Sequence, residues 1–320
     1  MSRLLSMTLV LASLLAPLSL VDAQESYPAR PIKVLVPLAA GGGTDIVART
    51  IAQSIAEDWG ANIVVENRPG AGTTLAAQAL LASPADGYTL MFNTASFLVT
   101  PHLMPARPYE RAQFAPVSLV AASPHVVVVS EKVPAKTLTE LVAWLKERDG
   151  KATYASFGNG SSGHLGTEIL LKRLGVSVVH VPYRGNSPAL TDVMAGHVDM
   201  MLADHVDGNI KASKPRPIAI ASDKRSEFLP DVPTVIESGY PGYTSQSWYG
   251  LVAPGGTPQA LIDKWNAGVV AGLKKPEVRK KLIDQGIDPI GSTAAEFKSF
   301  MDIEDGKYSE AIKASNIKMQ

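Results

Sequence analysis

The chain has 320 residues, with 30 basic and 30 acidic side chains and no cysteine. A formal net charge of zero argues against a nucleic-acid binder, which would present a basic face. The lack of thiols excludes disulfides and thiol-linked lipids, and 46% apolar against 19% charged residues is the balance of a packed globular protein and not of a disordered one.

Arg3 precedes an almost wholly apolar run from Leu4 to Leu20, and Val21-Asp22-Ala23 then places small residues where a signal peptidase reads. Residues 1–23 are expected to be a secretory signal cut after Ala23, with the bacterial periplasm as destination. The competing reading is an uncleaved anchor, but the run is at the short end of the about 20 residues that span a bilayer. The remainder, roughly 300 residues, is about the size at which one core divides into two.

Strand and helix patterns alternate from there. Ile32–Pro37 reads as a buried strand, and Asp45–Trp59 as a helix with Ile46, Val47, Ile51 and Ile55 on one side. A strand at Asn62–Glu66, a helix at Thr73–Ala82 and a strand at Tyr88–Asn93 complete a βαβαβ run. The pattern restarts with a strand at Val126–Ser130 and a helix from Thr137 to about Arg148, with Glu140 placed for a capping box. A strand at Ala152–Ser156, a helix at His164–Leu174 closed by Gly175, a strand at Val176–Val181, a helix at Ser187–Ala195 and strands at Val198–Ala203 and Ile218–Ala221 follow. The last part holds a strand at Trp248–Ala253 and helices from about Gln259, at Pro276–Gln285 and at Thr293–Ile312. These helices need a sheet to cover and are assigned to the first unit. The expected organisation is α/β with two lobes: 24–122 and 246–320 in the first, 123–245 in the second, and hinge crossings near Ala121–Pro124 and Thr244–Ser247. Each lobe is expected to be a mixed, mostly parallel sheet flanked by helices.

Three turns follow strand C-terminal ends, where open α/β sheets bind ligands. The first is Leu38-Ala39-Ala40-Gly41-Gly42-Gly43-Thr44-Asp45. Its glycines leave N–H groups uncovered, and the following helix aims its partial positive end at them, which makes an anion site. Neither G-x-G-x-x-G spacing nor a Lys-Ser/Thr pair is present, so a nucleotide loop is disfavoured; a plain tight turn with a Thr44 or Asp45 cap is the simpler alternative. The second is Ser156-Phe157-Gly158-Asn159-Gly160-Ser161-Ser162-Gly163-His164. It offers hydroxyls and bare amides, but neither Ser161 nor Ser162 meets G-x-S-x-G, and a helix-start hydrogen bond is favoured for His164 over a general base. The third, Asn93-Thr94-Ala95-Ser96-Phe97, offers a hydroxyl and an aromatic wall, or is only a polar turn. Tyr183-Arg184-Gly185 offers a phenol or a backbone amide, and Asp204 an acceptor for a ligand ammonium or hydroxyl. The six histidines show no metal-ligand spacing, and no cofactor is expected.

In this order, these stretches resemble the periplasmic substrate-binding proteins of tripartite tricarboxylate transporters, the Bug family. The matching segments include Ala39–Asp45, Glu66-Asn67-Arg68-Pro69-Gly70-Ala71-Gly72, Asp86-Gly87-Tyr88-Thr89-Leu90, Gly158–Ser161 with His164-Leu165, Val181-Pro182-Tyr183-Arg184-Gly185 and Leu229-Pro230-Asp231-Val232-Pro233-Thr234. The resemblance implies a two-lobed, closing fold of the type II periplasmic binding protein class. It also implies a small carboxylate (a di- or tricarboxylate, an acidic amino acid or an aromatic acid) held by the Ala39–Asp45 and Gly158–Ser162 turns. Leu38, Ser96, Phe97, Tyr183 and Asp204 would face the far end of the ligand, and Leu38 stands where the family often has an aromatic residue or a proline. Partners implied are the ligand and membrane transporter subunits, with the protein itself a monomer. The rivals are a sensor subunit using the same clamp on a receptor, and a secreted hydrolase using Ser162 and His164.

Overall fold

The computed structural model describes residues 27–104, 106–206 and 208–315; the expected secretory segment, residues 1–23, lies outside them. In chain order the first lobe begins with β1 (Ile32–Val36), α1 (Gly43–Trp59), β2 (Ile63–Asn67), α2 (Thr74–Leu81), β3 (Thr89–Asn93), α3 (Ala95–Leu103) and β4 (Phe114–Pro124). The second holds β5 (Val126–Val129), α4 (Leu138–Glu147), β6 (Thr153–Ser156), α5 (Ser162–Leu174), β7 (Val179–Pro182), α6 (Asn186–Ala195), β8 (Met200–Ala203), α7 (Gly208–Lys211) and β9 (Arg216–Ile220). The chain then returns with β10 (Gln246–Pro254), α8 (Gln259–Lys274), α9 (Pro276–Ile283), β11 (Asp288–Pro289) and α10 (Ala294–Ser315).

The two sheets have the orders β2-β1-β3-β10-β4-β11 and β7-β6-β8-β5-β9. Each repeats one plan. Three parallel strands stand side by side, and the strand that has just crossed from the other lobe, β10 or β5, inserts antiparallel to both its neighbours. The expected mixed sheets flanked by helices are found, with antiparallel pairs at least as numerous as parallel ones, because the crossing strands enter from the opposite end.

Alternating residues of each strand feed opposite faces. In β1, Ile32, Val34 and Val36 join α1, α8 and α9 around Trp265 and Val269, whereas Leu35 joins α2, α3 and α10 around Phe97 and Phe297. In β5, Val127 and Val129 pack with α4 and α5, and Val126 and Val128 with α6. The expected stop at Gly175 is left-handed, with φ 66. The expected cap at Thr137 accepts the Glu140 N–H at 3.2 Å, but the Glu140 carboxylate reaches the N–H of Lys136, one residue before the cap.

Four elements were not expected: the short α7 and β11, and the longer α3 and β4. The region of α3 reads as a turn because it contains Pro101 and has no polar face; its residues 95–100 are all buried. The 11-residue β4 carries Pro116 and Pro124, which read as breaks. Pro116 is tolerated because it lies at a register shift against β10, the position where a strand accepts a missing N–H donor.

Candidate functional site

The C-terminal ends of β1, β3, β6 and β7 each lead into a helix, and the starts of α1, α3, α5 and α6 come together between the lobes. The Ala39 N–H donates across the cleft to Arg184 O at 3.0 Å. A Cβ on Gly42 would lie 3.7 Å from Asn186 Cβ, so the start of α1 faces the start of α6. A Cβ on Gly160 would lie 2.8 Å from Val99 Cγ1 and 3.3 Å from Leu103 Cδ1, so the second turn presses on α3. The expected pairing of the first turn with the second is therefore shifted: each glycine turn meets a helix of the opposite lobe. The segment Tyr183–Gly185 lies between them, with Tyr183 O 3.4 Å from the Cβ position of Gly158.

Within the first turn, Asp45 works inward. Its Oδ2 accepts the Gly41 N–H at 3.0 Å, and both carboxylate oxygens accept Arg49 Nε at 3.0 Å. Asn67 Nδ2 donates to Asp45 Oδ1 and to Leu38 O, each at 3.0 Å. Burial would raise the Asp45 carboxyl, but Arg49, the Gly41 N–H and Asn67 together outweigh it and hold it below the usual carboxylate range. Asp45 and the Gly41 amide are thus occupied in shaping the turn and not free for a ligand. Asp45→Ala is expected to lower stability by about 2 kcal/mol through these lost charge-assisted bonds, read as a fall in thermal midpoint. Because the charged form is the one favoured in the folded state, this contribution is constant near neutral pH and fades only as pH drops through the lowered value.

The amides of Gly43 and Thr44 are different. The cap residue Gly42 provides no side-chain bond to them, and the Thr44 hydroxyl is 1% exposed and without a hydrogen-bond partner among the described residues. The starts of α3 and α6 likewise lack a side-chain cap. Ser96 shares the face of α3 that bears Val99 and Leu103, and so faces the second lobe. In α5, by contrast, much is already engaged. The Ser161 hydroxyl accepts the His164 N–H at 3.2 Å, the Gly160 N–H donates to His164 Nδ1 at 3.1 Å, and the Ser161 N–H donates to Gly158 O at 3.1 Å. The bare amides expected at Gly160 and Ser161 are corrected accordingly. Asn159 and Gly158 are half-buried at the tip of the turn.

Three other expectations change. The Phe97 ring stacks on Tyr109 and meets Phe114 edge-on, so it is a core side chain of the first lobe and not a cleft wall. The Asn93 amide points to Met301 of α10. The Tyr183 phenol donates to Asp192 at 2.5 Å and is pushed up to about 12, by burial first and then by that carboxylate; only its backbone faces the cleft. Asn186 and Ser187, at the start of α6, were missed. The signal was there: Pro182 to Asn186 repeats the strand, glycine and helix order of the first turn.

A buried polar cluster stands behind the cleft at the crossings. His125 lies between β4 and β5 and is 0% exposed. Its Nδ1 pairs with Ser245 Oγ at 2.8 Å, and its Nε2 meets Ser247 Oγ at 3.0 Å and Ser162 Oγ at 3.3 Å. One ring thus ties both crossing strands to the start of α5. Ser162 accordingly faces His125 and not His164, whose ring stacks on His180 at 4.0 Å. The dyad a hydrolase would need does not form. A cavity of about 730 Å³ also opens at the flank of the two crossings, between α5 and α10, and reaches the cluster at Ser162. Its walls carry charges of both signs and do not include the starts of α1, α3 or α6.

The sequence model described as the tripartite tricarboxylate transporter family receptor matches residues 47–317. The chain belongs to this family. Among solved structures, the periplasmic binding protein BugD is similar with a TM-score of 0.85 at 32% identity, over 92% of this chain and 100% of that one. Rpa4515 of R. palustris, solved with adipate, gives 0.87 at 31% identity over 91% and 99%. MatC of Rhodopseudomonas palustris, solved with malate, gives 0.83 at 31% over 89% and 100%. A member of this receptor family is a periplasmic solute-binding protein and not an enzyme, which fits a site built from uncapped helix starts without a nucleophile and its base.

Proposed function

We propose that this receptor captures a small carboxylate between the starts of α1 and α3 on one lobe and α5 and α6 on the other, and delivers it to a tripartite tricarboxylate-type membrane transporter. The observation that carries the reading is that the starts of α1, α3 and α6, which have no side-chain caps, meet between the two sheets, with the Ser161-capped start of α5 beside them. Orphan N–H groups and aligned helix dipoles favour an anion there; α2, α8 and α9 also lack side-chain caps, and it is the convergence of several such starts that distinguishes this place. The adipate and malate in similar solved structures support the ligand class. Hydrogen bonds to a charged group are worth roughly 1.5–3 kcal/mol each. Three or four, less ordering costs, reach the ~8 kcal/mol of a micromolar ligand.

Isothermal titration against dicarboxylates, acidic amino acids and aromatic acids tests this. At least one class binds in the micromolar range on this reading; silence across all of them refutes it. Thr44→Val supplies a second check. Removing an unpartnered buried hydroxyl relieves an unsatisfied group in the empty protein, so the thermal midpoint holds or rises. If the hydroxyl serves the ligand, affinity falls about 10-fold, or about 1.4 kcal/mol.

A further inference from the structure

Asp204 follows β8 and is 2% exposed. Its N–H donates at 3.2 Å to Oδ1 of Asn186, the first residue of α6. Its Oδ1 accepts from His205 Nδ1 at 2.5 Å. Its Oδ2 has no hydrogen-bond donor among the described residues, and lies 3.0 Å from the position of a Cβ on Gly43, the first residue of α1. This oxygen therefore stands between the starts of α1 and α6. Tyr249, whose hydroxyl donates to Asp204 O at 3.3 Å, adds no charge of its own, and no Lys or Arg among the described residues pairs with the carboxylate. Among the described residues the one ionisable side chain on the carboxylate is His205, at Oδ1, so Oδ2 is left beside the anion-binding amides as an acceptor without a donor. A bare carboxylate arriving at α1 meets this oxygen with acceptors only and nothing to donate. A ligand that also carries an ammonium group gives the open oxygen its missing donor.

We propose that Asp204 makes this receptor select carboxylates bearing an ammonium group, that is zwitterionic amino acids, over bare carboxylates of the same length, with the ammonium on Oδ2 and the carboxylate on the α1 amides. This rests on the carboxylate reading of the cleft and names the ligand class within it.

The test is titration of the purified protein with pairs that differ only by the ammonium, succinate with aspartate and glutarate with glutamate. Wild type is expected to bind the amino member of a pair at least 10-fold more tightly. Asp204→Asn is expected to bring the two within about 2-fold, mainly by a gain for the bare diacid. Asp204→Ser should show the same convergence if the Asn variant folds poorly, and the wild-type ratio needs no variant at all. A wild-type preference for the bare diacids overturns the proposal, as does binding confined to other carboxylates without an ammonium, or a ratio unchanged in a folded variant. If no carboxylate of any kind binds, the reading of the cleft itself fails, and the proposal falls with it.

Discussion

Gly42→Asp is expected to abolish carboxylate binding while leaving the protein at least as stable. Gly42 caps α1 with φ −83 and ψ 170, an extended backbone any residue adopts. Aspartate is among the preferred residues at this position, and its carboxylate takes the second or third amide of the helix. The second, that of Thr44, is one of the two amides assigned to the ligand, and the new carboxylate also stands against the other, that of Gly43, so the change satisfies the helix start and removes the binding site together. The new side chain would also project toward Asn186 across the cleft. Losing two charge-assisted bonds and adding a like charge corresponds to at least a 100-fold loss. Calorimetric titration and a thermal melt on the same sample separate the two effects. Unchanged affinity would mean that α1 does not hold the carboxylate.

Acid is expected to destabilise the protein steeply between about pH 6.5 and 4. Burial pushes His125 down to about 4, partly opposed by the Asp204 charge. Burial also lowers His164 to about 3, with help from His180, and lowers His180 to about 4. In the unfolded chain these rings take protons near pH 6.5. Between the two values the unfolded state binds more protons, so stability falls as pH falls through this window and is level above it. For the fully buried His125 the loss approaches roughly 3 kcal/mol by pH 4, and the more exposed His180 contributes less. Against a total stability of about 5–15 kcal/mol, three rings decide whether the protein stays folded. Urea melts at pH 7, 5.5 and 4.5 measure it. His125→Gln should flatten the slope, and a wild type with level stability across the window would rule the histidines out.

Much of this architecture is legible in the sequence where local signals and packing agree. The strand, glycine and helix order at Val36–Asp45 and the stop at Gly175 need no tertiary information. What is not legible depends on which elements meet. Residues 95–100 lack amphipathic spacing because they are buried all round, and so α3 is hidden; without it, Phe97 reads as a cleft residue when it is a core one. Asp45 looks like a ligand contact until Arg49 and Asn67 are seen to enclose it. The start of α6 has the same local pattern as the first turn, yet only the meeting of Ala39 with Arg184 brings it opposite α1. His125 carries no motif; it becomes a link only because both crossings pass beside it.

The most direct test of the central claim is a crystal structure with the tightest ligand found by titration. The ligand carboxylate is expected within hydrogen-bonding distance of the Gly43 and Thr44 amides, with the start of α6 closing on it from the other lobe. A ligand seated instead in the cavity beside Leu165, Ile169 and Tyr308 would contradict it.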